Sequence, residues 1–80
     1  MGFYKENLPT AVAEQLRAER AASQMSFKDL VEATGMSEQT LIRYFNGKRD
    51  IPLNQLAAIA DALGLSPLEL VARATDRIKK

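Results

Sequence analysis

At 80 residues the chain has room for one small domain, and 46% apolar residues are enough for one compact core. It has no Cys and no Trp, so packing alone, without a disulfide, must hold that core. With 11 basic and 10 acidic side chains the net charge is +1, so any contact with nucleic acid must come from how the charges are placed and not from their sum.

The punctuation of the chain predicts five short helices and no strands. The first runs from about Pro9, a residue suited to a first helical turn, to Ser23. Val12 and Leu16 form an i, i+4 apolar pair beside Ala13, while Glu14, Arg17, Glu19 and Arg20 are expected to face water. Residues 1–8 ahead of it read as a flexible arm. The second helix starts at Ser26, whose hydroxyl can cap it, with Asp29 three residues on completing a capping box. Leu30 and Val31 point inward. Gly35 ends this helix, because a sharp stop needs the left-handed conformation that glycine adopts freely.

The third helix follows Ser37, a second cap, and stops at Asn46-Gly47. It is too short to be stable in isolation. After the break at Asp50-Ile51-Pro52, a fourth helix spans about Pro52 to Leu63, with Leu53, Leu56, Ala60 and Leu63 on one stripe, and closes at Gly64. Ser66-Pro67-Leu68-Glu69 then supplies cap, first-turn proline and capping-box glutamate. The fifth helix carries Leu68, Val71, Thr75 and Ile78 at spacings of three and four. Arg73, Arg77, Lys79 and Lys80 gather at its end, and residues 76–80 read as a basic tail. Cations there also suit a solvated helix C-terminus. The expected fold is an all-α, five-helix domain over residues 1–80.

The central segment, ATGMSEQTLIRYFNGKR, answers a narrow geometrical demand. Two short helices joined by a glycine turn of about three to four residues make a helix-turn-helix. Gly35 supplies the turn and Met36 plugs the angle. Leu41, Tyr44 and Phe45 fall on one side of the third helix. Glu38, Gln39, Ile42, Arg43 and Asn46 fall on the other, with Thr40 at the flank. A major groove roughly 12 Å wide accepts such a helix. Gln39 can bond adenine N6 and N7, Arg43 can fork onto guanine O6 and N7, and Glu38 can accept from cytosine N4. Ile42 either rests on a thymine methyl or is an ordinary surface apolar residue. Asn46, Lys48 and Arg49 leave the helix end on a loop that either meets phosphate or is simply solvated. Lys28 lies in the first turn of the second helix, another phosphate-compatible place.

The run SFKDLVEATGMSEQTLIRYFNGKR resembles the helix-turn-helix of the lambda-repressor-like, Cro/C1-type (XRE) regulators, whose docking geometry is a standard one. LRAERAAS resembles the family's first helix, and IPLNQLAAIADALGLSPLELV its fourth and the start of its fifth. The GMS turn and the FNG ending resemble the family's phage repressors. The resemblance implies base reading by Glu38, Gln39, Thr40 and Arg43, with Ile42 beside them. It implies phosphate contacts at the start of the second helix and at Asn46, Lys48 and Arg49; Lys28 and Ser37 complete the expected phosphate set. Three positions depart from the family. Phe27 replaces a glutamine that commonly bonds phosphate. Phe45 replaces a glutamate often paired with an arginine of the first helix, which leaves Arg20 without that partner. Val31 replaces a smaller residue, which implies a slight splaying of the two helices.

The expected function is sequence-specific binding of double-stranded DNA by a transcriptional regulator, a repressor acting as a homodimer on a palindromic site. One short helix reads few base pairs and the low net charge limits nonspecific affinity, so two half-sites must supply the specificity. Leu68, Val71, Thr75 and Ile78 either form the dimer surface or pack on the domain's own core. Two other readings compete. One is an antitoxin that holds a toxin through Phe3, Tyr4 and Leu8. The other is a protein-binding module, for instance on a larger regulator, that has lost DNA. An enzyme is not expected: without His and Cys there is no Cys–His or Ser–His pair and no usual zinc site. No cofactor is expected, and no second domain is seen to hold an inducer. No run approaches the ~20 apolar residues of a membrane span, MGFYKENLPT lacks a secretion signal, and Glu6 stands where a myristoylation motif needs Ser or Thr. The expected location is cytoplasmic.

Overall fold

The computed structural model describes residues 2–79. Among them are five helices, α1 (Phe3–Ser23), α2 (Phe27–Thr34), α3 (Glu38–Phe45), α4 (Leu53–Ala62) and α5 (Pro67–Ile78), and no strand. The all-α architecture expected from the sequence is the one observed. The domain measures 38 × 21 × 19 Å, and the 21 residues of α1 make a rod of about 31 Å.

Three of the helix starts follow from their caps. Ser26 accepts from the Asp29 N–H while Asp29 accepts from the Ser26 N–H, a complete capping box. Ser37 accepts from the Thr40 N–H. Ser66 and Glu69 repeat the capping box at α5, with Pro67 in the first turn. Gly35 stops α2 at φ +75°, the left-handed region where a side chain is strained. α1 closes in the same way on Gln24, a non-glycine residue at φ +57°.

The core is a single cluster of Leu16, Leu30, Leu41, Tyr44, Phe45, Leu56, Ile59, Ala60 and Leu70. It takes at least one side chain from every helix, and each fully buried Leu, Ile or Phe adds roughly 1.5–3 kcal/mol. α5 lies along α1, and α2 and α3 pack on each other, with α3 also touching α1 and α2 touching α4. α3 is thus gripped from two sides.

Several expectations are corrected. α1 begins at Phe3 and not at Pro9, so Pro9 is an internal residue of the helix and residues 3–8 are its first turns, not a loose arm. Glu6 N–H bonds the Gly2 carbonyl and the Asn7 amide bonds the Phe3 carbonyl, which close those turns. In α4, Leu53 is 78% exposed and Ile59 takes its place in the core, because Leu53 is the first residue of the helix and projects past the packed face. Of the side chains expected to face water, Arg17, Glu19 and Arg20 all reach partners on other segments. The basic residues of α5 are also engaged. Arg73 pairs with Glu19 at 2.7 Å and Arg77 donates to the Gln15 side chain at 2.6 Å. Asp76, Arg77 and Ile78 are helical, and Lys80 lies outside the described residues.

Candidate nucleic-acid interface

Helix α3 is two-faced because its apolar residues recur at spacings of three and four. Leu41, Tyr44 and Phe45 are buried to 3% exposure or less. On the opposite side Glu38, Gln39, Ile42 and Arg43 are exposed, with Thr40 half-buried at the flank. Among the described residues Glu38, Gln39 and Arg43 have no hydrogen bond or ion pair from their side chains, so their polar groups are free for a ligand. Ile42 is 37% exposed, which leaves its apolar end in solvent beside them.

The helix is fixed at both ends. At its start the Ser37 hydroxyl accepts from the Thr40 N–H and donates to the Thr40 hydroxyl at 2.8 Å. That hydroxyl is therefore committed to the cap, and the Thr40 O–H proton remains to donate outward. Before it, Thr34 bonds the Leu30 carbonyl and accepts from the Met36 N–H, which holds the turn while Met36 packs against the core. At its end the chain turns at Gly47, φ +70°, whose backbone approaches the Ala13 Cβ, with 3.5 Å to a Cβ built at this glycine.

Two contacts that sequence reasoning missed hold α3 in place. Arg17 of α1 donates to the Phe45 carbonyl, an orphan acceptor in the last turn of α3. A cation at a helix C-terminus is also favoured by the dipole. Tyr44 donates its hydroxyl to the Gln55 side chain of α4. Neither pair has a local signature: the partners of Arg17 and Phe45 are 28 positions apart, and only the folded chain brings them together.

The positions expected at phosphate lie at the two ends of this unit. Lys28 is exposed in the first turn of α2, and Asn46, Lys48 and Arg49 are exposed in the turn after α3. Asp29 and Glu69 are held below the ordinary carboxylate range by the backbone N–H groups of Ser26 and Ser66 that they cap. Glu19 is lowered by its hydrogen bond from Arg73, against the opposing effect of its partial burial.

The residues that replace the family pattern form a cluster behind α3. Phe27 meets Phe45 edge-on with 5.3 Å between ring centroids, and the Arg20 guanidinium lies 4.3 Å from the Phe27 centroid. Arg20 also donates to the Met25 carbonyl at 3.0 Å. As expected from the missing glutamate, Arg20 has no carboxylate partner among the described residues; it keeps the Phe27 ring and the Met25 carbonyl, and its Nε is buried without a hydrogen bond. An aromatic face stands where that carboxylate would be, and the planar guanidinium stacks on it. Val31 is half-buried and packs against the core.

On α5, Leu70 and Ala74 are the residues fully buried against the core. Val71, Thr75 and Ile78 are half-buried, and Leu68 stands 78% exposed. The Thr75 hydroxyl bonds the Val71 carbonyl of its own helix. No single helix among the described residues is long and apolar enough to cross a membrane.

A family model described as a helix-turn-helix domain matches residues 11–74. Two solved structures of the clp gene regulator ClgR from Corynebacterium glutamicum are similar to this chain at 27% identity. One has a TM-score of 0.82, with 89% of this chain and 91% of that chain covered. The other has a TM-score of 0.83, with 89% and 76% covered. No curated protein matches the chain. The family match spans all of α2, α3 and α4 together with most of α1 and α5, and the chain belongs to the helix-turn-helix domain family.

Proposed function

We infer that the chain is a DNA-binding transcriptional regulator that reads double-stranded DNA with the outer face of α3. The observation that carries this reading is the contrast across one short helix. One side is fully buried and tethered to α1 and α4, while Glu38, Gln39, Ile42 and Arg43 stand exposed on the other. In this reading Gln39 and Arg43 bond base edges, Glu38 accepts from a cytosine amino group, Thr40 donates its hydroxyl, and Ile42 meets a thymine methyl. Lys28, Asn46, Lys48 and Arg49 hold phosphates, and Ser37 contributes through its backbone N–H, since its hydroxyl caps the helix. The similarity to ClgR, a gene regulator by its description, supports the regulatory role.

The regulator acts as a repressor on a two-fold site, bound as a homodimer. The arithmetic is that of a single eight-residue reading helix and a net charge of +1, which together leave one copy short of specificity. Leu68 and the outward sides of Val71, Thr75 and Ile78 form the surface for the second copy. The toxin-holding alternative drew on a loose N-terminal arm; Phe3, Tyr4 and Leu8 are instead wound into α1.

The test is a salt titration with duplexes selected by the protein. A DNA reader loses affinity linearly in log–log form, at a slope of about −0.9 for each phosphate neutralised. A protein-binding module on an apolar interface gives a flat response, and that result ends this reading.

A further inference from the structure

A groove of about 370 Å³ lies on the side of the domain where the N-terminal part of α1 faces the turn after α3. Its floor is apolar, with Leu8, Val12, Ile51, Leu56 and Val71. Its rim carries Lys5 and Arg49 against a single acid, Asp50. Tyr4, Lys5, Leu8 and Pro9, which build one wall, precede the residues that match the helix-turn-helix family. That wall, ahead of the stretch matched by the family model, exists because α1 starts at Phe3 and not at Pro9.

We propose that this groove is a binding site for a small amphipathic monocarboxylate, its apolar body on Leu8, Val12 and Val71 and its carboxylate on Lys5 and Arg49. The volume sits at the small end of ligand pockets, roughly 300–1,000 Å³, which suits a molecule of modest size. An apolar floor rejects sugars and other polyols, whose hydroxyls would lose water without gaining partners. Two cations against one anion leave one positive charge on the rim, the complement of one carboxylate. Neither Lys5 nor Arg49 is in an ion pair among the described residues, so both are available to an incoming anion. The groove also touches the reading unit. Tyr44, whose hydroxyl ties α3 to Gln55, and Gly47 and Arg49, in the turn that follows α3, all line it. A carboxylate held by Arg49 withdraws that side chain from phosphate, so the ligand opposes DNA. The coupling rests on the DNA-binding reading; the site itself does not.

The test uses the full chain with 4-phenylbutyrate as the probe and neutral 4-phenylbutyramide as its control, read by backbone amide resonances. The expected result is saturable shifts at Leu8, Val12, Gly47 and Val71, with the amide binding about tenfold more weakly through loss of a charge-assisted contact. Lys5→Gln weakens the carboxylate by a similar factor and leaves duplex affinity without ligand unchanged. Leu8→Trp fills the groove and removes binding; if it fails to fold, Lys5→Gln still decides. Saturating carboxylate weakens duplex binding by wild type. Shifts that never saturate, equal binding of acid and amide, or shifts scattered away from the groove overturn the proposal. Concentration-dependent shifts at the same amides with no probe present also overturn it, since a second copy then occupies the groove. Failure of the duplex to bind without any carboxylate counts against the DNA reading alone, because the amide shifts judge the groove separately.

Discussion

The Arg20 guanidinium lies 4.3 Å from the centroid of the Phe27 ring, and the far side of that contact is Phe45, met edge-on at 5.3 Å. The stack links α1, the start of α2 and the last residue of α3, so it braces the reading helix from behind. Phe27→Ala is expected to cost about 2 kcal/mol, from lost apolar burial and the ring contacts. Arg20→Gln is expected to cost about 1 kcal/mol through loss of the cation–ring contact. Urea unfolding of both variants and of the double variant checks this. A double variant whose cost equals the sum of the singles shows that the two side chains do not act together.

Arg17 gives a second expectation. Its bond to the Phe45 carbonyl satisfies a helix-end acceptor that no N–H of α3 can reach. Arg17→Ala should lower stability by about 1.5 kcal/mol, the low end of the roughly 1.5–3 kcal/mol range for a hydrogen bond to a charged group, because the side chain is exposed. The amides of Asn46, Gly47 and Lys48 should shift most, because the turn after α3 loses its anchor. Shifts confined to α1 contradict the assignment.

The Ser37 cap is the simplest local test. Ser37→Ala removes the acceptor for the Thr40 N–H and the donor to the Thr40 hydroxyl. A cost of about 1 kcal/mol is expected. Ser37→Asp should keep most of the stability, because a carboxylate also caps and its charge suits a helix N-terminus. Thermal melts of the two variants should therefore separate, with the Ala variant lower.

Acid stability follows from carboxylates whose folded-state pKa is depressed. Asp29 and Glu69 are lowered by the backbone N–H groups they cap, and Glu19 by Arg73. A depressed carboxylate contributes stability that is fully present above its unfolded pKa, about 4, and is lost as pH falls through the lower folded value. The protein should thus be insensitive to pH from about 7 to 5 at these groups and lose stability below about 4. Glu19→Gln should flatten part of that decline, together with part of the salt dependence of the α1–α5 contact. An identical acid profile in wild type and Glu19→Gln contradicts this assignment.

Much of this was readable in the chain before folding, and the exceptions have one cause. Ser26 with Asp29, Gly35, Ser37 and Asn46-Gly47 are local signals, each acting within four residues, and they locate α2 and α3 correctly. The two sides of α3 follow from helical spacing alone, so the exposed set Glu38, Gln39, Ile42 and Arg43 was legible too. Arg17 is exposed as expected, but its partner was not legible, and Glu19 and Arg20 are half-buried instead of solvent-facing, because the partners Phe45, Arg73 and Phe27 come from other helices. Pro9 misled in a different way. Proline suits a first turn, yet here the packed helix carries it in its interior, which no rule of propensity anticipates. The groove was invisible for the same reason, since its wall depends on that earlier start.

The claim that the outer face of α3 reads bases is tested most directly by selecting duplexes from a random pool with wild type, Arg43→Ala and Lys48→Ala. Wild type is expected to return a two-fold motif. Arg43→Ala should return the same motif with one base pair blurred in each half, a loss of roughly 1–3 kcal/mol of discrimination there. Lys48→Ala should return the wild-type motif at uniformly lower affinity, with the salt slope reduced by about one. An unchanged motif from Arg43→Ala, or no enriched sequence from wild type, contradicts the account.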